Sequence, residues 1–339
     1  MKTNIALASL LSLFLSACGI MGGGTEDTRP DWIDGKSKKY ASALYLTGQG
    51  SALTSSDARD RARSDLAKQF EVAVKEQTQQ SQSFTSEQAN GESRESFNQR
   101  ISRQLVTYTS RTLQGVEIAD QWFDNKSGKH YALAILSRNK TRHKLVQTLN
   151  DLDQHSQQRL LQAEDETSLL TRAALVQLAI NSQQKRVVAQ STLQVVDMTG
   201  RGIPAKLSMA ELVRTREALL RKIKIQPLAS GDMSLELIKV LSGAAAGAGF
   251  SIANENVDYQ LKIQTLLDPI LEQNGWFWLR GTMEIFLIDK AGNSIGTQRW
   301  PLKVSSTNAT RSQQKLLSET EKLLKEQLRE VLLSFAVKP

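Results

Sequence analysis

Between Lys129 and Met198 the chain contains neither glycine nor proline. Nothing in that stretch ends a helix cheaply, because glycine and proline are the residues that cost most in a helix interior. After a strand-like start, apolar residues recur at helical spacing. Leu145, Leu149 and Leu152 form one stripe, and Leu169, Leu170, Ala173, Ala174, Leu175, Leu178 and Ala179 form another. One unbroken rod of this length exceeds the usual globular helix. The spacing therefore predicts two or three helices folded as a hairpin or small bundle. Gly200-Arg201-Gly202-Ile203-Pro204 closes the stretch. Whatever lies on either side must be organised around this helical centre.

On its N-terminal side, Tyr45-Leu46-Thr47 reads as a strand ending in a tight turn at Gly48-Gln49-Gly50. Thr54-Ser55-Ser56-Asp57 offers several helix caps. Ala58, Ala62, Leu66 and Phe70 then follow at spacing four. From Phe70 the alternation with Val72 and Val74 predicts a strand. Thr78 to Gly91 is polar and reads as an exposed hairpin or loop. Ser93 to Leu113 returns to helical spacing through Phe97, Ile101, Leu105 and Tyr108. Val116–Trp122 and His130–Leu136 are two strands joined by the turn residues of Asp124–Lys129. Trp32 is expected to anchor this core.

On the C-terminal side, Ile223–Leu228 alternates like a strand that stops near Pro227. Asp232 is placed to cap the next helix, which carries Leu235, Ile238 and Leu241. Tyr259–Thr265, Trp276–Ile288 and Ile295–Val304 are strands, the second long and apolar enough to lie centrally. The last two are joined by Asp289–Asn293. Ala309 to Phe335 closes the chain as an amphipathic helix. The fold class expected is α+β: two small sheet-plus-helix domains joined by a helical stretch. The boundaries are 30–138, 139–200 and 201–339.

The first residues set an address. Ile5 to Leu15 is an apolar run behind Lys2, too short for the roughly 20 residues a membrane span requires. It reads as a signal-peptide core over residues 1–17. It ends in Leu15-Ser16-Ala17-Cys18, which resembles a bacterial lipobox, and Cys18 is the only cysteine in the chain. The resemblance implies a lipidated Cys18, acylated by fatty chains such as palmitate, with residues 18–29 as a glycine-rich tether. It also implies, through Gly19 where inner-membrane lipoproteins carry Asp, sorting to the outer membrane with the body in the periplasm. Membrane lipid, through the acylated N-terminus, is thus the first expected partner.

Composition narrows the chemistry. One cysteine and three histidines leave no disulfide framework and little for a His/Cys metal centre, so no metal and no cofactor is expected. No G-x-S-x-G elbow, H-E-x-x-H or C-x-x-C pair occurs. Gly48-Gln49-Gly50 lacks the third glycine of a dinucleotide loop. His143 and His155 stand too far apart for a helical metal pair, and Asp151/Asp153 and Glu164/Asp165 fall on polar helix faces. No catalytic residue and no enzyme is expected.

Two binding candidates remain. The net charge is +8, and Arg201, Lys206, Arg214, Arg216, Arg221, Lys222 and Lys224 crowd one segment. Arg214, Arg216, Arg221 and Lys222 form either a solvated helix surface or a contact for anionic envelope polymers. Nucleic acid is a poor partner in the periplasm. Trp276 and Trp278 share a strand face, either in the core or as a platform for sugar rings or a protein.

Pro30-Asp31-Trp32, Tyr45 to Gly50, the Ala58/Ala62/Leu66-Ala67 helix and Val116 to Leu136 resemble the LPP-twenty lipoprotein family over roughly Pro30 to Asn150. Relatives include outer-membrane and flagellar-associated lipoproteins. The C-terminal element order is similar to LpoB-type activators of peptidoglycan synthases and to CsgG-like lipoproteins. The function expected is a non-catalytic outer-membrane lipoprotein that binds or scaffolds an envelope protein or glycan. The alternatives are a regulator of peptidoglycan synthesis or a flagellar accessory lipoprotein. Oligomeric state is left open.

Overall fold

The computed structural model describes residues 29–35, 37–86 and 94–337, with 81–86 and 94–100 as helical backbone alone. It is an α+β fold with two sheets and a helical hairpin between them.

The N-terminal sheet is antiparallel, in the order β1 (Tyr45–Ala52), β3 (Lys129–Ser137), β2 (Glu117–Asp124). Helix α1 (Ser55–Ser86) lies on one face. Gly48 and Gly50 are not a turn but the middle of β1. A Cβ on Gly48 would lie 2.4–2.6 Å from Leu66 and the Ala62 carbonyl. One on Gly50 would lie 2.3 Å from the Ala58 carbonyl and the Ala62 amide. Glycine is there so that the backbones of α1 and β1 can touch.

The expected strand at Phe70–Val74 is a correction. Phe70, Val74 and Thr78 continue the stripe of Ala58, Ala62 and Leu66, all buried, while Val72 is 55% exposed. The spacing of four continued, and the apparent alternation was incidental. The polar stretch expected as a loop is likewise helix as far as Ser86, with 87–91 outside the described residues. Helix α2 (Arg94–Leu113) follows.

The other face of this sheet is closed by the segment before β1. Trp32 sits in a 3-10 turn (Asp31–Asp34), 3% exposed, its indole N–H donating to the Asp120 carboxylate at 3.2 Å. The Tyr40 hydroxyl donates to the Ala119 carbonyl at 3.0 Å.

Helices α3 (Arg138–Asp165) and α4 (Leu169–Val196) form the predicted hairpin. The break between them uses no glycine or proline. The Glu166 carboxylate accepts the amides of Thr167 and Ser168, and the Ser168 hydroxyl accepts the Thr171 amide as an N-cap. Helix α4 serves both cores. Ala189, Leu193 and Val196 belong to the N-terminal core, and Leu170, Ala173, Ala174, Val176 and Ile180 to the C-terminal one. Between these halves lies a buried ion pair, Arg186 Nε to Asp153 Oδ1 at 2.7 Å. Gln183 joins it to Ser156, and Arg186 also donates to the carbonyls of Ile203 and Pro204. Asp153 is therefore not on a polar surface, as its sequence neighbours suggested. The partner that draws it inward stands 33 residues away.

After α5 (Met209–Leu220), the C-terminal sheet comprises β4 (Lys224–Gly231), β5 (Ser251–Ile252), β6 (Tyr259–Leu267), β7 (Leu271–Gln273), β8 (Trp276–Asp289) and β9 (Ser294–Ser306). The strands run β5-β4-β6-β8, with β7 continuing the β6 side of β8 and β9 pairing its other side. Helices α6 (Ser234–Gly247) and α7 (Ala309–Ala336) cover one face with Leu237, Leu241, Leu316, Leu324, Leu328 and Leu332. Strand β4 does not stop at Pro227. Strand β5 pairs only with Lys224 and Ile225, so Pro227 faces an edge where its missing amide costs nothing. Asp232 is not the cap either: Met233, at φ +60°, holds that position. The Asp232 carboxylate instead accepts the Leu267 amide at 3.1 Å, tying α6 to β6.

Candidate functional site

Strand β8 alternates sharply. Leu279, Met283, Ile285 and Leu287 point into the core, so Trp276, Trp278 and Arg280 share the opposite face. Trp276 is 48% exposed and Trp278 half-buried. The register adds their neighbours on that face. Leu271 stands opposite Trp278, Leu266 opposite Thr282, and Lys303 opposite Arg280. Leu266 and Leu271 are well exposed.

The electrostatics here are unusual. Arg280 and Lys303 are directly opposed across two paired strands, an arrangement that is destabilising for like charges. Neither makes an ion pair within the described residues. Instead the two cations flank one indole: the Arg280 guanidinium lies 5.8 Å and the Lys303 ammonium 5.3 Å from the Trp278 ring centre. Each such contact is worth about 0.5–1 kcal/mol at an exposed site. Trp278 and Lys303 also line a groove of about 600 Å³ between β9 and α7, whose α7 side carries Lys315, Lys322, Glu319 and Glu326. This surface can take up an anionic group together with a flat or apolar body.

The basic segment behaves differently. Arg214 is exposed on α5, and Arg221 and Lys222 are exposed in the turn before β4. Arg216 is corrected: its side chain is 0% exposed. It donates to Gln177 at 2.6 Å and Glu217 at 2.7 Å, and Glu217 also meets Arg329 at 3.4 Å. Arg216 thus welds α4, α5 and α7. Nor do Arg221 and Lys222 join the tryptophans. The Lys224 end of β4 aligns through Tyr259 with Asp289, the far end of β8 from Trp278. Eleven strand residues separate the two ends, about 36 Å. Arg280 was legible in the alternation of Trp276 and Trp278. Lys303, Leu266 and Leu271 were not, because only strand register brings them there. Leu15, Ser16, Ala17 and Cys18 lie outside the described residues.

Among the described residues no cluster of His, Cys, Asp or Glu could hold a metal, and no helix is long and apolar enough to cross a membrane. Residues 30–137 match the model of the LPP20 lipoprotein family. Over these residues the chain is similar to the LPP20 lipoprotein family. This span contains the whole first sheet with α1 and α2, and ends as α3 begins.

Several solved structures are similar. The secreted protein HP1454 of Helicobacter pylori is 15% identical, with 87% of this chain and 98% of that one covered at a TM-score of 0.41. A minor lipoprotein of Acinetobacter baumannii is 17% identical, with 33% and 90% covered at 0.25. Lipoprotein GNA1162 of Neisseria meningitidis is 13% identical, with 32% and 99% covered at 0.25. No curated protein matches the chain.

Proposed function

We propose that this protein is a lipid-anchored outer-membrane lipoprotein, held through Cys18 with its body in the periplasm. Its role is to bind or scaffold an anionic envelope component, glycan or protein, and no catalysis is assigned to it. The observation that carries the binding role is the opposed pair Arg280 and Lys303 around Trp278. Two like charges facing each other without acidic partners among the described residues are relieved by an anion, and Trp276, Leu266 and Leu271 supply apolar contact beside it.

The reading is tested in living cells with a photo-crosslinking amino acid in place of Trp276, and a control at Gln158 on α3. Crosslinks to an envelope protein or glycan from position 276, absent from 158, are expected. Equal yields at both positions, or none at 276, would overturn the binding role. Anchoring is tested apart: Cys18→Ala is expected to leave the protein out of the outer-membrane fraction, and unchanged fractionation contradicts it.

A further inference from the structure

A second surface lies where the LPP20-like region meets α3, away from the open sheet. A cleft of about 610 Å³ opens between the end of α2, the start of α3 and the edge of the first sheet. Its wall is apolar and aromatic, with Tyr45, Tyr108, Ile135 and Leu145. Its rim is cationic, with Arg111 from α2 and Lys140 and Lys144 from α3, all three exposed. The acidic residue of the rim is Glu117, 3.9 Å from the Lys140 ammonium in a solvent-exposed pair. Such a pair is worth little. Arg111 and Lys144 make no ion pair among the described residues.

The placement of these cations runs against the local physics. Helix α3 has no acidic residue in its first turn. Arg138, Lys140, Arg142 and Lys144 all fall in its first seven residues, at the positive end of the helix dipole, where cations are disfavoured. Two of them have structural work that explains their presence. Arg138 donates to the carbonyls of Val195 and Val196 at the end of α4, and Arg142 pairs with Asp197 at 3.4 Å. Of Lys140 and Lys144, four residues apart on one helix face, the first has only its exposed pair with Glu117 and the second makes no ion pair among the described residues. Both line the cleft, as does Arg111. Burial pushes the Tyr108 phenol up from its ordinary pKa.

We infer that this cleft is a binding site for a small anionic amphiphile. Its charged group, phosphate or carboxylate, would sit among Arg111, Lys140 and Lys144, and its apolar body against Tyr45, Tyr108, Ile135 and Leu145. Three cations around a single anion supply charge-assisted hydrogen bonds, whereas among the described residues the only acidic partner any of them has is Glu117, in its exposed pair with Lys140. The half-apolar wall requires more than a bare ion to fill it.

The test uses residues 18–339 with Cys18→Ala, so that no acyl chain or detergent competes. Isothermal titration compares dihexanoyl phosphatidic acid, dihexanoyl phosphatidylcholine and inorganic phosphate, each lipid below its micelle concentration. Phosphatidic acid is expected to bind at least tenfold more tightly than either of the others. Lys140→Ala/Lys144→Ala is expected to weaken it about a hundredfold, at about tenfold for each lost charged contact. Lys222→Ala, on the far domain, is expected to leave it unchanged, and circular dichroism checks that each variant is folded. Phosphate binding as tightly as the lipid would reduce the cleft to a simple anion site and overturn the amphiphile. Equal binding of phosphatidylcholine, indifference to the lysine pair, or no binding of phosphatidic acid would each overturn it as well.

Discussion

The first sheet is closed on both faces and the second on only one. In the N-terminal domain α1 lies directly on β1, with glycine at the points of contact, and the segment holding Trp32 and Tyr40 seals the other side. In the C-terminal domain α6 and α7 cover one face, and the other carries Leu266, Trp276, Arg280 and Lys303 into solvent. A three-stranded sheet is too small to hold a core from one side, whereas the long β8–β9 pair with two helices is not. The larger sheet can therefore leave a face free for binding, while the smaller one keeps its recognition surface at an end, in the cleft beside α3.

Four measurements would break or sharpen this contrast. The largest effect is expected at the element the two sheets share. Asp153→Ala strands Arg186 inside the α3–α4 hairpin, and breaking such a buried pair costs about 3–5 kcal/mol. Guanidinium unfolding with hydrogen exchange should show protection falling in β3 and β8 together. A loss confined to one sheet would mean that the two cores are energetically separate despite sharing α4.

Next comes the closed face. Gly48→Ala forces α1 off β1, because the new methyl meets backbone atoms that cannot rotate away. A loss of about 1–3 kcal/mol is expected, as for other overpacked sites. A neutral result in thermal melts would show that α1 is not seated as tightly as the geometry has it.

The open face should respond weakly. Trp276→Ala is expected to change stability by no more than about 0.5 kcal/mol. Trp278→Ala should cost about 1 kcal/mol through its two cation contacts. A large loss at Trp276 would place that residue in a packed interface and close the face.

The smallest effect concerns one hairpin turn in each sheet, β2–β3 and β8–β9. The Ser127 hydroxyl and the Lys126 amide hold the Asp124 carboxyl below its ordinary pKa, and the amide and side chain of Asn293 do the same for Asp289. For a depressed carboxyl, the stabilisation is fully present above the unfolded value, about 3.9. It is lost as pH falls through the lower folded value. Melting temperatures between pH 6 and 2 should therefore drop less steeply for Asp124→Asn and Asp289→Asn than for the parent chain. An unchanged acid slope would remove both carboxyls from the account.

Much of this architecture was legible before any coordinates. Periodicity is a local property, so α3, α4, α7 and the strands β6, β8 and β9 could be read from residues a few positions apart. It failed where two periods overlap: Phe70 and Val74 suit both a strand and a helix, and packing against the sheet chose the helix. Turn chemistry misled at Gly48 and Gly50, because a glycine needed for close approach looks the same in sequence as one needed for a turn.

The candidate site divides in the same way. Strand alternation put Trp276 and Trp278 on one face, but register was required to set Lys303 against Arg280. Charge alone could not tell Arg216 from Arg214, two positions apart on α5. One is enclosed by Gln177 and Glu217 and the other faces water. By itself the sequence determined the α+β class, the helical centre, the pairing of the tryptophans and the LPP20 resemblance, since each rests on spacing within a segment. Only the tertiary structure decided that α4 belongs to two cores, which charges are buried, and where cations gather without counter-ions. Burial and charge pairing depend on residues brought together from distant parts of the chain, and no local pattern records them.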